Sequence, residues 1–302
     1  MVDTGRLSTD SAPVAPTLQP GRCRGATRQR PGDWRAWAGL VILAGFTVLG
    51  LLAPLLAPYG ADRQDLTSAL QPPGPGHWLG TDELGRDILS RLLYGVRPTT
   101  LIPSMGVAIG ALVGIVLGLG SAYLGPKVES LLMGLTDLVL TFPSIVLAIA
   151  IVTILGVGEK SLALAIAAAA LPGPARIARA AALKVKGMEY FEAAKAVGAS
   201  DVRMVLRYLL PNVAPALIVQ ITLELSQAVL LSAALGFLGL GVQPPAPEWG
   251  TMLSQARGFV HLAPHMMVFP GLAIALLVFA LNMAGDALRD HLDPARSTGL
   301  HF

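Results

Sequence analysis

Two short segments contain residue types that bind phosphate or metal ions in other proteins. The segment 156–161 has glycines followed by lysine and serine, but Glu159 precedes the lysine and no strand-like run precedes the segment, so a nucleotide-binding loop is not expected. His261 and His265 are four residues apart, but Pro264 lies between them and no cluster of carboxylates or cysteines accompanies them. We therefore predict no metal and no cofactor. No combination of nucleophile, base and orienting group predicts a catalytic site.

A third set of polar residues lies inside a long apolar segment. Gln220, Glu224 and Gln227 are spaced i, i+4 and i+7, so a helix would present them on one face. An ionisable residue at membrane depth usually faces a bundle interior or a water-filled path, which favours a translocation path along this face. The same spacing fits a polar seam that packs against another helix or a partner subunit. For Asp137 and Asp286 we expect structural pairing with arginine or lysine from the loops.

The segment 181–211 is predicted to form two short amphipathic helices on either side of a glycine. Gly198 suits the C-terminal cap of the first helix, Ser200 or Asp201 suits the N-terminal cap of the second, and Pro211 predicts a break before the next span. The predicted apolar stripes are Tyr190, Ala193, Ala194 and Val197 on the first helix and Val202, Val205, Leu206 and Leu209 on the second. Such helices suit insertion into a groove of a partner protein, and they equally suit contact with lipid headgroups.

Another amphipathic segment, 82–95, precedes the apolar run that begins at residue 98. Its apolar stripe is Leu84, Ile88, Leu89, Leu92 and Leu93, and its polar side, which we expect to face water, is Arg86, Asp87 and Arg91. Asp82 and Glu83 suit the start of a helix and Gly95 suits its end. The pattern predicts an interfacial helix that serves as an anchor or a subunit contact.

The composition indicates a membrane protein. Of the 302 residues, 53% are hydrophobic and 14% are charged, whereas a soluble domain carries about 25% charged residues. Charge-free apolar runs approach the roughly 20 residues that a helix needs to cross the hydrocarbon core. The predicted spans are 36–58, 98–123, 130–155, 160–180, 213–237 and 266–287. The sequence therefore predicts an all-α transmembrane fold with six spans, the fourth interrupted at Pro172-Gly173-Pro174.

The basic residues outside the spans predict the orientation. Residues 1–35 have the composition of a disordered basic tail, and the apolar run that follows is longer than that of a cleaved signal peptide. Cys23 is the one cysteine, so no disulfide can form within the chain. With the amino terminus inside, the inner segments hold 16 lysines and arginines and the outer segments hold 6, which predicts cytoplasmic termini and a cytoplasmic loop over 176–212. We expect the bilayer, and no nucleic acid, as a partner of these basic residues.

The segment 181–211 also resembles a known motif. Its spacing is similar to that of the EAA loop of ATP-binding-cassette importer permeases at Glu192, Ala193, Ala194, Gly198, Leu210 and Pro211. Tyr208 stands where that motif has isoleucine. Between about residues 36 and 296, other stretches resemble the C-type subunit of the dipeptide, oligopeptide and nickel permease group. These stretches are 77–82, 85–87, 90–91, 236–241, 244–245, 249–250, 269–271, 282, 285–286 and 288–290.

The resemblance implies a fold, a function and partners. It implies the type I importer permease fold, with a first transmembrane helix and external loop over 36–97, a five-helix core over 98–290 and a cytoplasmic tail over 291–302. The implied function is inward passage of di- or oligopeptides across the cytoplasmic membrane by alternating access, without enzymatic activity of the chain itself. The implied partners are a second homologous permease subunit, two ATP-binding subunits that the EAA loop contacts, and an extracytoplasmic binding protein. Nickel chelates or haem are alternative cargoes, and an ATP-independent secondary transporter is an alternative of another class.

Overall fold

The computed structural model describes residues 33–292, so Cys23, almost all of the predicted basic tail and the residues after 292 lie outside the described part. The regular elements of that part are helices. They are α1 (Asp33–Leu51), α2 (Ala53–Leu56), α3 (Ile88–Leu124), α4 (Pro126–Thr141), α5 (Ser144–Leu155), α6 (Glu159–Ala170), α7 (Pro172–Lys186), α8 (Glu189–Ala196), α9 (Asp201–Arg203), α10 (Leu210–Phe237), α11 (Trp249–Ala256) and α12 (His265–Leu292). A π-helical turn, Met204–Leu209, joins α9 to α10.

Apolar helices occupy all six predicted spans, but they are not six straight rods. Four helical stretches are long and apolar enough to cross a membrane: Ile88–Leu124, Glu159–Lys186, Asp201–Phe237 and His265–Leu292. The third predicted span is a bent pair, because α4 and α5 meet at 93° around Pro143. The first contains a shorter apolar helix, Trp37–Leu51.

The predicted interruption at Pro172-Gly173-Pro174 is seen as a short division of the span, because α6 ends at Ala170 and α7 begins at Pro172. Leu171 has helical angles, φ −63° and ψ −43°, and the amide of Ala175 donates to the Leu171 carbonyl at 3.3 Å. Pro172 occupies the first turn of α7, where the amide hydrogen that proline lacks has no partner to lose. The division is therefore limited to Leu171, and Glu159–Lys186 remains one apolar stretch long enough to cross a membrane.

The predicted break at Pro211 is wrong. α9, the π-helical turn and α10 follow one another without a gap from Asp201 to Phe237. At the end of the π-helical turn the Leu210 amide donates to the carbonyl of Val205, five residues back. This widened turn directly precedes Pro211, so the proline is accommodated within the helical stretch.

The predicted interfacial helix over 82–95 has the wrong bounds. α3 begins after Asp87, whose carboxylate accepts a hydrogen bond from the Ser90 amide at 2.8 Å, and it continues through Gly95. Gly95 lies against Trp249, since a Cβ at this position would be 2.9 Å from the indole ring. The glycine that suggested a helix end thus permits a close contact between α3 and α11.

Four glycines of α3 bring it close to α6 and α7. A Cβ at Gly106, Gly110, Gly114 or Gly118 would lie 2.7, 2.4, 2.5 and 2.3 Å, respectively, from atoms of Ile166, Ala167, Leu171 and Ala175. Three of these atoms are backbone carbonyl oxygens, which cannot move aside as the end of a side chain can. We call these four glycines the glycine seam. They hold α3 close to α6 and α7, and α7 in turn contacts the polar residues of α10.

Candidate functional site

The first arm of the candidate coupling loop, α8, is anchored by Phe191 and Ala194. Both side chains are buried in an apolar cluster that includes residues of α3, α7 and α10. The predicted stripe is therefore correct only at Ala194, because Tyr190 and Val197 are exposed, Val197 at 86%. The helix is rotated so that Phe191 faces its own subunit. The other apolar side chains remain available to a partner.

Gly198 ends α8 in a left-handed conformation, with φ +80°. Its amide donates to the Lys195 carbonyl at 3.0 Å, and the amide of Ala199 donates to the Ala194 carbonyl at 3.2 Å. These two bonds form the Schellman motif, which caps helices at a residue of positive φ. A Cβ at Gly198 would meet no atom within 4 Å. Glycine is thus favoured here by backbone conformation and not by lack of space.

The second arm of the loop, α9 with the π-helical turn, is tied to the end of α3 through Asp201, and the end of α7 is tied to α3 through Lys186. The Tyr123 hydroxyl donates to the Asp201 carboxylate at 2.5 Å, and the Lys186 ammonium donates to the Ala122 carbonyl at 2.6 Å. Of its predicted apolar stripe, Leu209 is buried and Val205 is partly buried, whereas Val202 and Leu206 are 68% and 58% exposed. Glu192 and Ala193 of the first arm are exposed as well, as is Pro211. We call the exposed side chains Tyr190, Val197, Val202 and Leu206 the loop surface.

The polar residues of α10 do not all have the same surroundings. The Gln220 amide group donates to a carboxylate oxygen of Glu224 at 2.8 Å, and both side chains lie against Gly173. A Cβ at Gly173 would be 2.4 Å from that oxygen, so the glycine makes room for the pair. Glu224 and Gln227 also line a cavity of about 420 Å³, together with Ser144 at the start of α5. Gln220 is not part of the cavity lining.

Asp137 forms the structural pair that the sequence predicts. His265, where no metal site is predicted, also makes a structural contact. Arg176 donates to the Asp137 carboxylate at 2.6 Å, although both side chains are largely exposed. Asp286 is exposed on α12. His265 is buried, and its Nε2 lies 3.2 Å from the carbonyl oxygen of Thr81. Within residues 33–292, no group of three possible metal ligands is found.

The predicted water-facing side of segment 82–95 is instead part of a buried charge cluster, formed by Asp82, Glu83, Arg86, Arg91 and Gln255. Arg86 donates to Asp82 at 2.6 Å, and both arginines donate to the Gln255 side-chain oxygen, Arg86 at 3.4 Å and Arg91 at 3.2 Å. Each arginine is 1% exposed, although we expected both to face water. Asp87 is also buried. An amphipathic stripe cannot reveal such a cluster, because Gln255 is distant in sequence and covers the polar side.

Glu248, which no motif in the sequence singled out, caps α11. Its carboxylate accepts hydrogen bonds from the Gly250 amide at 2.9 Å and the Thr251 amide at 2.8 Å. Burial raises the pKa of this carboxyl, whereas the hydrogen bonds from Gly250 and Thr251 lower it. A Cβ at Gly236 would lie 2.6 Å from a Glu248 oxygen, so this glycine accommodates the carboxylate. An acidic residue before a helix start was the available sequence signal.

Comparison with known proteins identifies the family. A family model described as the binding-protein-dependent transport system inner membrane component matches residues 110–298. A second, the N-terminal TM domain of oligopeptide transport permease C, matches residues 33–73.

Three relatives match most of the chain. The dipeptide transport system permease protein DppC of Alkalihalophilus pseudofirmus is 41% identical and covers 90% of this chain and 89% of its own. The di/tripeptide transport system permease protein DppC of Pseudomonas aeruginosa is 45% identical, with 86% and 88% covered. The glutathione transport system permease protein GsiD of Pectobacterium atrosepticum is 40% identical, with 85% of both covered.

A solved structure supports the fold. A chain of the inward-facing MetNI methionine ABC transporter superposes with a TM-score of 0.57 at 23% identity, over 68% of this chain and 98% of that one. The type I importer permease fold predicted from the sequence is thereby confirmed. The chain belongs to the binding-protein-dependent transport system inner membrane components, the permease subunits of ATP-binding-cassette importers, and carries the N-terminal domain of oligopeptide transport permease C.

Proposed function

We propose that this chain is one of two membrane-spanning subunits of an importer that moves di- or oligopeptides into the cytoplasm at the expense of ATP. The observation that carries the transport mechanism is the loop surface, whose apolar side chains are exposed while neighbouring side chains of the same loop are buried in the apolar cluster. Exposed apolar side chains whose backbone is held by buried neighbours suit insertion into a groove of a partner protein. The names of the relatives, which specify dipeptide, di/tripeptide and glutathione transport, favour a peptide cargo.

The proposed assembly contains a second homologous permease, two ATP-binding subunits and an extracytoplasmic binding protein. Glu192, Ala193, Ala194, Gly198, Leu210 and Pro211 are the proposed contact and hinge positions toward an ATP-binding subunit. Both termini lie in the cytoplasm in this proposal, because the inner segments carry 16 of the 22 lysines and arginines. The membrane is the cytoplasmic membrane.

Movement of the loop would reach the cavity through packed helices. Closure of the ATP-binding subunits pushes on α8 and on the π-helical turn in this proposal. The Tyr123–Asp201 and Lys186–Ala122 hydrogen bonds pass that movement to α3, and α10 continues directly from the loop to Glu224. The cavity beside Glu224 and Gln227 would then open alternately to the two sides. Gln220 holds the Glu224 carboxylate in position.

Two alternatives make different predictions. Nickel chelates or haem would be carried by the same machinery, so only the cargo differs. An ATP-independent secondary transporter would need no partner at the loop surface, which could then lie on lipid headgroups, so copurification of ATP-binding subunits distinguishes the two.

The experiment is purification of the tagged chain with the ATP-binding subunits encoded beside it, followed by reconstitution with the neighbouring binding protein. We expect both ATP-binding subunits to copurify and labelled dipeptide to accumulate only with ATP. If the ATP-binding subunits copurify and the vesicles take up a nickel chelate or haem but no peptide, then that compound is the cargo and not a peptide. Uptake by the chain alone without ATP would reject the importer mechanism.

A further inference from the structure

A groove of about 530 Å³ opens on the surface between α1 and α3. Phe46 and Leu51 contribute to one wall, Leu101 to the other, and Val229 of α10 and Leu277 of α12 form part of the floor. The two wall helices come close at Gly50, where a Cβ would lie 2.9 Å from the Val96 side chain. Gly50 and Val96 are themselves part of the groove lining.

One charged side chain, Arg97, lines the groove. It is the last charged residue before the charge-free stretch 98–126, so it lies at the boundary of the apolar part of α3. Its side chain is exposed, and within residues 33–292 it forms no hydrogen bond or ion pair. An arginine at the edge of the hydrocarbon region can extend its guanidinium to the interface, where phospholipid phosphates lie.

The polar residues deeper in the groove offer no free hydrogen-bond donor. The hydroxyl of Thr100 donates to the Val96 carbonyl at 2.8 Å, and that of Ser104 donates to the Thr100 carbonyl at 2.7 Å. Across the groove, the Thr47 hydroxyl donates to the Leu43 carbonyl at 2.9 Å. The groove therefore presents one cation at its edge and an apolar surface along its length.

We propose that this groove binds an anionic phospholipid, with the phosphate paired to Arg97 and one acyl chain lying along Leu101 and Ser104. Guanidinium groups bind phosphate through charge-assisted, often bidentate hydrogen bonds. An acyl chain in the groove would make dispersion contacts with apolar side chains of both walls. This combination of one cation and a long apolar channel matches the two parts of a phospholipid. The site does not depend on the cargo of the importer.

The headgroup contact is tested by native mass spectrometry of the complete importer, purified from membranes that contain phosphatidylglycerol. We expect Arg97→Gln to retain roughly tenfold less phosphatidylglycerol than the wild type, the effect of losing one hydrogen-bonded charge. Arg63→Gln is the matched control, because Arg63 is also exposed but packs over the Tyr59 ring outside the groove. Equal retention by Arg97→Gln and the wild type would overturn the proposal.

The acyl-chain contact is tested by filling the groove. Ser104→Phe places a ring in the groove, whereas Met105→Phe places one on the exposed surface of α3 beside it. We expect lipid retention to fall with Ser104→Phe and to stay at the wild-type level with Met105→Phe, while both complexes assemble. Equal retention in both variants would contradict an acyl chain at this position.

The competing occupant of the groove is the second permease. Leu101→Cys in a Cys23→Ser background is treated with a short bifunctional thiol reagent, with single cysteines placed on the first helix of the second permease. An absence of cross-links, together with loss of lipid in Arg97→Gln, supports the lipid. Efficient cross-linking at Leu101 would assign the groove to the subunit interface and overturn the proposal.

Discussion

At the scale of single residues, Gly198 is a position where a side chain would strain the backbone without meeting any neighbouring atom. Its φ of +80° is unfavourable for a β-branched residue, yet a Cβ would meet open space. We expect Gly198→Val to cost about 1–2 kcal/mol at the turn and to misdirect α8, so that ATP hydrolysis no longer drives uptake. Gly198→Asn should retain coupling, because asparagine tolerates the left-handed region. Uptake and hydrolysis are measured in the same vesicles.

One result would contradict the coupling interpretation, and a second substitution should lower uptake less. Wild-type uptake per ATP hydrolysed in Gly198→Val would show that this turn does not transmit the movement. Glu192→Lys reverses an exposed charge on α8 without changing the backbone, so we expect a smaller loss of uptake.

Glu224 distinguishes a path residue from a packing residue. We expect Glu224→Ala to lower uptake while the complex assembles normally, since the carboxylate lines the cavity. Glu224→Gln keeps the hydrogen-bonding shape beside Gln220 and removes the charge, so it should lower uptake equally if the charge is what matters. Size-exclusion chromatography reports assembly. Dissociation of the complex in both variants would favour the polar seam instead.

The sequence predicted the capping glycine at 198 but not which face of α8 is buried. A helix stripe built from Tyr190 and Val197 was plausible by spacing, whereas Phe191 is the residue that packs inward. Periodicity gives the angle between residues and not the direction of the core. Short helices with apolar residues on several sides therefore need tertiary contacts to fix their orientation.

At the scale of elements, the glycine seam sets the distance between α3 and the α6–α7 helix. A Cβ at Gly110 would lie 2.4 Å from the Ala167 carbonyl oxygen, so Gly110→Ala must push two backbones apart. Overpacking of this kind typically costs about 1–3 kcal/mol. Gly120→Ala, on the same helix, meets no atom closer than 3.7 Å. It should be neutral or stabilising by up to about 1 kcal/mol, because alanine has the higher helix propensity.

Thermal unfolding of both variants in the same detergent checks this difference in sign. An equal midpoint for Gly110→Ala and Gly120→Ala would mean that the two helices are not closely packed in the membrane. The seam was visible in the sequence as four glycines at a spacing of four, but that spacing alone does not name the opposing helix.

Helix positions were predictable from hydropathy, whereas helix continuity was not. Prolines at 172 and 211 suggested breaks. The helices do divide before Pro172, whereas Pro211 follows a π-helical turn inside one continuous helical stretch. Pro143, in contrast, lies at the 93° bend that hydropathy did not indicate. The same residue type has different outcomes because its effect depends on which backbone partners the neighbouring turn supplies.

At the scale of the whole molecule, the charge asymmetry predicts the orientation in the membrane. In a Cys23→Ser background, we expect Gly74→Cys to react with a membrane-impermeant maleimide from outside and Ser200→Cys to react only after permeabilisation. The positions are suitable because Ser200 is exposed and a Cβ at Gly74 has no neighbour closer than 3.8 Å. Labelling of both from the same side would refute the six-span arrangement.

The buried charge cluster has a consequence for biosynthesis. Gln255 is made 164 residues after Arg91, so at least three further apolar stretches are translated before this acceptor exists. During that interval Arg86 and Arg91 cannot have the surroundings that they have in the finished fold. Until α11 arrives, the arginines have, within the described residues, only the acidic partners of their own segment, Asp82 and Glu83. The beginning of the first long helix is completed by one of the last segments to leave the ribosome.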